Sequence, residues 1–423
     1  MTAYQTNWAG NITFGATKVH HPTTVEQLQE IVSRSPKVKV FGARHSFNGI
    51  ADSAADHLSL DQLDSTVAFD RNQRTVTVNG AITYGQLCRR LHEEGFALHN
   101  TASLPHITLA GACATATHGS GDGNGNLATA VTALELVKAD GELVTLSRQQ
   151  DGETFEGAVV GLGGLGVVTR MTLDTVPLFI MQQEVYENLP VAQLEEHFDE
   201  ITASAYSVSL FTDWQQDRVN QVWLKRRLPD ERGLAVAPNF FGATVAPAHR
   251  HPVVTLSAAP CTEQMGIPGP WYDRLPHFRV DHTPASGDEL QTEYFVPRQY
   301  AVEAMRAVTQ LQKQMEPILW ISEVRTIAAD RLWLSPNYGQ PSVGLHFSWR
   351  RNWPAVQKLL PLLEEQLAPF QARPHWGKLF AMSPSHLQSL YPKLADFREL
   401  LRTFDPQGKF RNVYLDTYLF GAD

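Results

Sequence analysis

Cysteine is scarce. The chain holds three in 423 residues, Cys88, Cys113 and Cys261, far apart and with none at metal-ligand spacing. That excludes a disulfide framework and a cysteine-based metal site, so no metal is expected and reduced thiols point to the cytoplasm. Cys113 lies in a run of small residues and reads as a compact packing residue rather than a nucleophile. Positive charge is also short. Lys and Arg number 35 against 44 Asp and Glu, for a net charge of −9. A nucleic-acid partner is therefore not expected, because phosphate binding needs a positive surface. The one basic run, Lys225-Arg226-Arg227, is followed by Asp230, Glu231 and Arg232 and reads as a solvated face. No apolar stretch reaches the roughly 20 residues of a membrane span, so no membrane partner is expected. Met1–Trp8 has neither a basic head nor an apolar segment, and no signal peptide is expected there. Internal repeats and coiled-coil heptads are also lacking, and a monomer is expected.

What remains is a globular composition, 43% hydrophobic and 19% charged. A length of 423 residues exceeds one ordinary core and suits two domains. Thr24 with Gln27 reads as a capping box opening a helix that buries Leu28 and Val32, followed by a strand from Val38 to Phe41. Arg71-Asn72-Gln73 is a hairpin turn before Thr75–Val78, whose Val76 and Val78 share a face. Thr83 and Gln86 cap a second helix that stops at Gly95. Asp140-Gly141 joins two strands. The strand entered at Gly166 ends near Pro177, and beyond residue 178 aromatics and prolines become more frequent. Pro229 to Pro252 reads as a long loop.

Two segments point to a bound cofactor. The first is Phe41-Gly42-Ala43-Arg44-His45-Ser46-Phe47-Asn48, where a strand runs into a small-residue turn. A histidine at a strand end is commonly a hydrogen-bonded surface residue. Its place just beyond Gly42-Ala43 favours contact with a cofactor. The second is Thr108 to Gly121, almost without bulk and rich in hydroxyl and backbone N–H groups. A pyrophosphate needs such converging donors and close backbone approach. The run is not a Gly-x-Gly-x-x-Gly turn and has no Lys-Ser/Thr ending, and a surface loop is its other reading. Together the two segments favour a flavin dinucleotide, with His45 as its anchor.

Three further segments carry polar chemistry. In Trp320–Ile327 alternation puts Glu323 and Arg325 on one face, suited to vicinal hydroxyls or to a plain ion pair. In Leu345–Trp349, His346 faces away from Leu345, Phe347 and Trp349, as a general base or a solvated edge residue. In Arg373–Lys378, Lys378 follows a Trp-Gly pair and suits the anionic end of a reduced flavin.

With these residues in view, the chain resembles the vanillyl-alcohol-oxidase-type flavoproteins and, within them, the alditol and xylitol oxidases. The resemblance runs nearly end to end. It passes through Asn7-Trp8-Ala9-Gly10-Asn11, the Gly42–Asn48 loop, Ala102-Ser103-Leu104-Pro105-His106 and Thr117-His118-Gly119-Ser120-Gly121. It continues through Cys261-Thr262-Glu263-Gln264, Pro374-His375-Trp376-Gly377-Lys378 and Asp405-Pro406-Gln407-Gly408-Lys409-Phe410. It implies an α+β fold in two domains: an FAD-binding domain of residues 1–177 completed by 376–423, and an antiparallel-sheet substrate domain of residues 178–375. It implies FAD held covalently by His45. Further FAD contacts would come from Phe41, Gly42, Ala43, Arg44, Ser46 and Phe47, from Ser103, Thr108, Gly111, Thr115, Thr117, His118 and Gly119, and from Val168 and His375. By the same resemblance Ser103, Glu323, Arg325, His346 and Lys378 surround the substrate hydroxyls, the last four as catalytic residues.

The implied reaction is oxidation of the terminal primary alcohol of a polyol, of the xylitol or sorbitol type, to the aldose, with O2 reduced to H2O2. Alternatives are an aldonolactone or sugar oxidase, a dehydrogenase with another acceptor, an oxidase of another primary alcohol such as a nucleoside, or a carbohydrate-binding protein with a structural flavin. Two positions depart from the pattern. Arg44 stands where many relatives have glycine, and its cation is expected on the pyrophosphate or another part of the cofactor. Asp122 is charged where a smaller or apolar residue is expected, and at the pocket mouth it would alter substrate preference.

Overall fold

The computed structural model describes residues 6–229, 233–282 and 289–421. The first elements follow the capping signals. Thr24 caps the helix Val25–Arg34, accepting from the Gln27 N–H, while the Gln27 side chain reaches back to the Thr23 N–H rather than to Thr24. This helix buries Leu28 and Val32 against Val38, Leu58 and Phe410. It lies between two strands of a small parallel sheet, in which Asp56–Leu58 pairs with both Lys18–His20 and Val38–Val40. Thr83 and Gln86 form the reciprocal capping box of Tyr84–Glu93, and Gly95 follows with φ +83°. An antiparallel sheet takes the order Ala68–Asp70, Thr75–Asn79, Val167–Asp174, Val131–Val137, Leu143–Ser147.

The second large layer is an antiparallel sheet drawn from residues 180–374. Its middle runs Ile180–Pro190, Arg218–Leu228, Ser207–Thr212, Leu319–Ile327, Ser342–Arg350, Glu289–Pro297. Alternation gives these strands two different faces. Val343, Leu345, Phe347 and Trp349 enter the core with Val308, Val356 and Leu360 from the helices Ala301–Thr309 and Trp353–Leu367. Each such fully buried apolar side chain contributes about 1.5–3 kcal/mol. That face fixes the register, and the polar residues between them must then line the opposite face.

Three sequence-based expectations change. The Thr108–Gly121 run is not an open loop throughout, because its alanines form the helix Leu109–Ala114. The N–H groups of Leu109, Ala110, Ala112, Thr115, Ala116 and Thr117 donate to backbone carbonyls. The long loop holds a short hairpin, Asn239–Phe240 with Ala243–Val245. The basic run is only partly a solvated face: Lys225 is buried, half-buried Arg226 pairs with Glu184, and exposed Arg227 lies over the Phe179 ring. Asp230, Glu231 and Arg232 lie outside the described residues, as do Met1–Gln5.

Cys88, Cys113 and Cys261 are free and buried, and burial pushes the Cys113 thiol up to about 12, which removes it as a nucleophile at neutral pH. Among the described residues no helix is long and apolar enough to cross a membrane.

Candidate active site

A cavity of about 750 Å³ lies between the His45 loop, the small-residue run and the polar face of the large sheet. This volume falls within the roughly 300–1,000 Å³ of small-molecule and cofactor sites. The His45 loop is fixed at its C-terminal end. Phe47 N–H donates to Gly377 O at 2.8 Å, and Asn48 Nδ2 donates to Trp376 O at 2.8 Å and Lys378 O at 2.7 Å. Chain segments more than 300 residues apart in sequence are thereby held edge to edge. Gly42 is required by close approach: a Cβ there would sit 2.0 Å from Thr108 Oγ1. Gly42→Ala is therefore expected to destabilise the protein by about 1–3 kcal/mol and to reduce the flavin-to-protein ratio. Melting temperature and absorbance of the purified protein check this, and unchanged values would contradict it.

Arg44 has φ +58°, the left-handed region that favours glycine, which accounts for the glycine expected there. Its Nη1 donates to Thr6 O at 2.9 Å and its carbonyl accepts from Trp8 N–H at 2.8 Å. The guanidinium thus serves to seat the N-terminal segment. His45 packs against Trp8, with ring centroids 4.3 Å apart. Its ring borders the cavity but is withdrawn from bulk water. That withdrawal lowers its pKa to about 4, helped by the charges of Lys378 and His106. His45 is therefore a neutral imidazole, the form whose ring nitrogen can bond to carbon.

The opposite wall is the sheet. Glu293, His346 and Glu323 sit in one register row across three adjacent strands. Glu293 is the hub. Its Oε1 accepts from Arg325 Nη2 at 2.8 Å and lies 3.1 Å from His118 Nε2, and its Oε2 accepts from Lys378 Nζ at 2.6 Å. Arg325 pairs in register with Gly344, where a Cβ would sit 3.2 Å from Glu293 Oε1, the oxygen that accepts from Arg325. Glu323 lies 3.5 Å from Arg325 Nε through Oε2, and its Oε1 accepts from His277 Nε2 at 2.8 Å. Burial opposes both carboxylates, yet Lys378 and Arg325 with the His118 contact at Glu293, and Arg325 with the His277 hydrogen bond at Glu323, hold both well below the usual range. Burial drives His346 well below 6.5, and Lys378 adds to it. Its Nε2 has no hydrogen-bond partner among the described residues. His346 is thus a buried neutral base on the cavity wall, and the solvated-edge reading is excluded.

These histidines set a pH dependence of stability. His45 and His277 fall to about 4 when folded and return to about 6.5 when unfolded. Between those values the unfolded chain binds more protons, so stability drops as pH falls. The melting temperature is expected to decline steadily from pH 6.5 to about 4.5, before exposed carboxylates titrate. A flat profile over that interval would contradict the assignment of neutral imidazoles at His45 and His277.

Most residues expected at the site line the cavity: Phe41 to Ser46, Ser103, Thr108, Gly111, Thr115, Thr117, His118, His375 and Lys378, with Glu323, Arg325 and His346 opposite. Phe47, Gly119 and Val168 are not in its wall. Phe47 packs on Trp8 and His45, and Gly119 is pressed against Asn100 and Thr101. Asp122 is also elsewhere, in a bidentate pair with Arg298. Glu289, Gln291, Glu293 and His277 were not anticipated, although Glu289, Gln291 and Glu293 alternate on one strand and share the cavity face.

A flavin dinucleotide fits these residues on three counts. The wall offers an exposed backbone at Gly42, a neutral imidazole at His45, and a cation at Lys378. Comparison with known proteins agrees. A profile described as an FAD binding domain matches residues 16–147, and one described as D-arabinono-1,4-lactone oxidase matches residues 287–418. An alditol oxidase of a Streptomyces species is 47% identical over 424 residues, covering 100% of both chains. An L-gulono-1,4-lactone dehydrogenase of Mycobacterium tuberculosis is 27% identical over 98% of each chain. Among solved structures, a solvent-stable cholesterol oxidase superposes with a TM-score of 0.80 at 15% identity, over 98% of this chain and 97% of its own. That last likeness is one of fold.

Proposed function

The chain belongs to the alditol oxidase family of FAD-binding oxidoreductases, and from that premise we propose that it oxidises the terminal primary alcohol of a polyol of the xylitol or sorbitol type to the aldose, with O2 reduced to H2O2. When bound, FAD supplies the acceptor for the two electrons leaving the carbinol carbon and returns them to oxygen. His45 is its covalent anchor in this reading. The hydrogen bonds from Phe47 and Asn48 to residues 376–378, and from Lys37 and Val38 to residues 408–409, support grouping 376–423 with 1–177 around the cofactor, with 178–375 binding substrate.

The observation that carries the proposal is the polar row on the sheet. A polyol presents a line of hydroxyls, each a donor and an acceptor. The cavity wall meets it with carboxylate acceptors at Glu323 and Glu289 and donors at Arg325, Lys378 and Ser103. His346 Nε2 takes the hydroxyl proton as the alcohol is oxidised. Arg325 and Lys378 stabilise the negative charge that develops beside it. Both are held by Glu293, so they are oriented before substrate arrives.

Peroxide formation across a panel of xylitol, sorbitol, a nucleoside and L-gulono-1,4-lactone tests this. Polyols are expected to give the highest kcat/KM. A higher value for the lactone would move the protein to lactone oxidation, the reading favoured by the match over residues 287–418. Reduction of an artificial acceptor without peroxide would make it a dehydrogenase.

A further inference from the structure

Among the described residues, Lys225 is buried with no carboxylate in contact. It stands on the strand Arg218–Leu228, 1% exposed, and its register partners Gln183 and Ser207 carry no charge. Its Nζ has three neighbours at hydrogen-bond distance: Leu275 O at 2.5 Å, Pro276 O at 2.9 Å and His277 Nδ1 at 3.0 Å. An ammonium has three donors and no acceptor, and all three are used here. The contact to Nδ1 therefore fixes the tautomer. His277 carries its proton on Nε2, which lies 2.8 Å from Glu323 Oε1.

The ring has little freedom to leave that position. It stands edge-on to Phe211 and Trp223, with centroids at 5.5 and 5.2 Å. Its backbone N–H donates to Ser103 O at 3.1 Å, and its carbonyl accepts from Thr262 N–H at 2.9 Å. One residue thus touches two members of the proposed substrate site: Ser103 through its backbone and Glu323 through its side chain.

We propose that Lys225 and His277 are positioning residues that present Glu323 to the substrate as an ionised acceptor of fixed orientation. Lys225 polarises His277, His277 donates to one oxygen of Glu323, and Arg325 neighbours the other. The substrate hydroxyl then meets a carboxylate that cannot rotate away. The proposal rests on Glu323 being a substrate residue, as argued above.

The charged and titratable groups around the pair are Glu323, Arg325 and Cys261. Burial raises the Cys261 thiol to about 12, so it stays neutral, and Glu323 stays ionised. Desolvation lowers Lys225 to about 7, with Glu323 opposing it. The ammonium is therefore lost as pH rises through neutrality, and KM for polyol is expected to rise with it.

The test has two arms. In the intact wild type, 15N NMR of labelled histidine should show His277 protonated on Nε2 at pH 6; a proton on Nδ1 overturns the proposal whatever any variant does. In kinetics, His277→Leu is expected to raise KM for xylitol about ten- to a hundredfold, the scale of one hydrogen bond to a charged group, with a smaller change in kcat. His277→Gln, which keeps a donor, should recover part of the loss. Lys225→Met should abolish the rise of KM with pH. If wild type turns over xylitol while both His277 variants match it and Lys225→Met keeps the pH profile, the positioning role is wrong. If wild type does not oxidise polyols at all, the fault lies instead with the proposed function.

Discussion

His346→Ala is expected to lower kcat with xylitol by about 10²–10⁴-fold, the range for loss of a positioned general base, while KM changes far less. The side chain is a buried neutral imidazole whose Nε2 is unpartnered among the described residues, between two ionised carboxylates in one register row. Truncation removes the proton acceptor but leaves Glu323, Arg325 and Lys378 in place to bind hydroxyls. Because burial and Lys378 hold His346 well below 6.5, it stays in its base form at neutral pH. The wild-type rate should therefore show no acid limb near 6.5, where a free histidine would impose one. Steady-state kinetics against pH measures both effects. A kcat within a few-fold of wild type, or a limb near 6.5, would remove His346 from this role.

His45→Ala is expected to abolish covalently held flavin entirely. Protein precipitated with acid should be yellow for the wild type and white for the variant, with the flavin of the variant left in the supernatant. The expectation follows from the neutral ring at about 4, its position on the cavity wall against Trp8, and a loop tied to the Lys378 segment. Colour in the variant pellet would place the attachment elsewhere, and a white wild-type pellet would mean non-covalent binding. The variant should still fold, since the loop is held by the backbone and Asn48 rather than by the imidazole.

Much of this site was legible in the sequence because period-two alternation needs only local information. Glu323 and Arg325 share a face, and His346 opposes Leu345, Phe347 and Trp349, as the pattern requires. The capping signals at Thr83 and Gln86 are equally local. Glu293 was available on the same principle, as the third of Glu289, Gln291 and Glu293, but strand pairing alone makes it a hub. Lys225 and His277 were not legible. They are 52 residues apart, and lysine is rarely buried, so composition alone assigns Lys225-Arg226-Arg227 to solvent. The helix inside the small-residue run was not legible for another reason. Low bulk suits both a phosphate cradle and a tightly packed helix, and only the helix Leu109–Ala114 shows where its N–H groups go.

A polyol bound along the row of Glu293, His346 and Glu323 is expected to be oxidised by the flavin. Anaerobic mixing tests it with no dependence on the final electron acceptor. Xylitol added to the oxygen-free holoenzyme should bleach the yellow flavin absorbance within the time of a few turnovers, and readmitted air should restore it. A flavin that stays yellow under saturating xylitol and sorbitol would contradict the account.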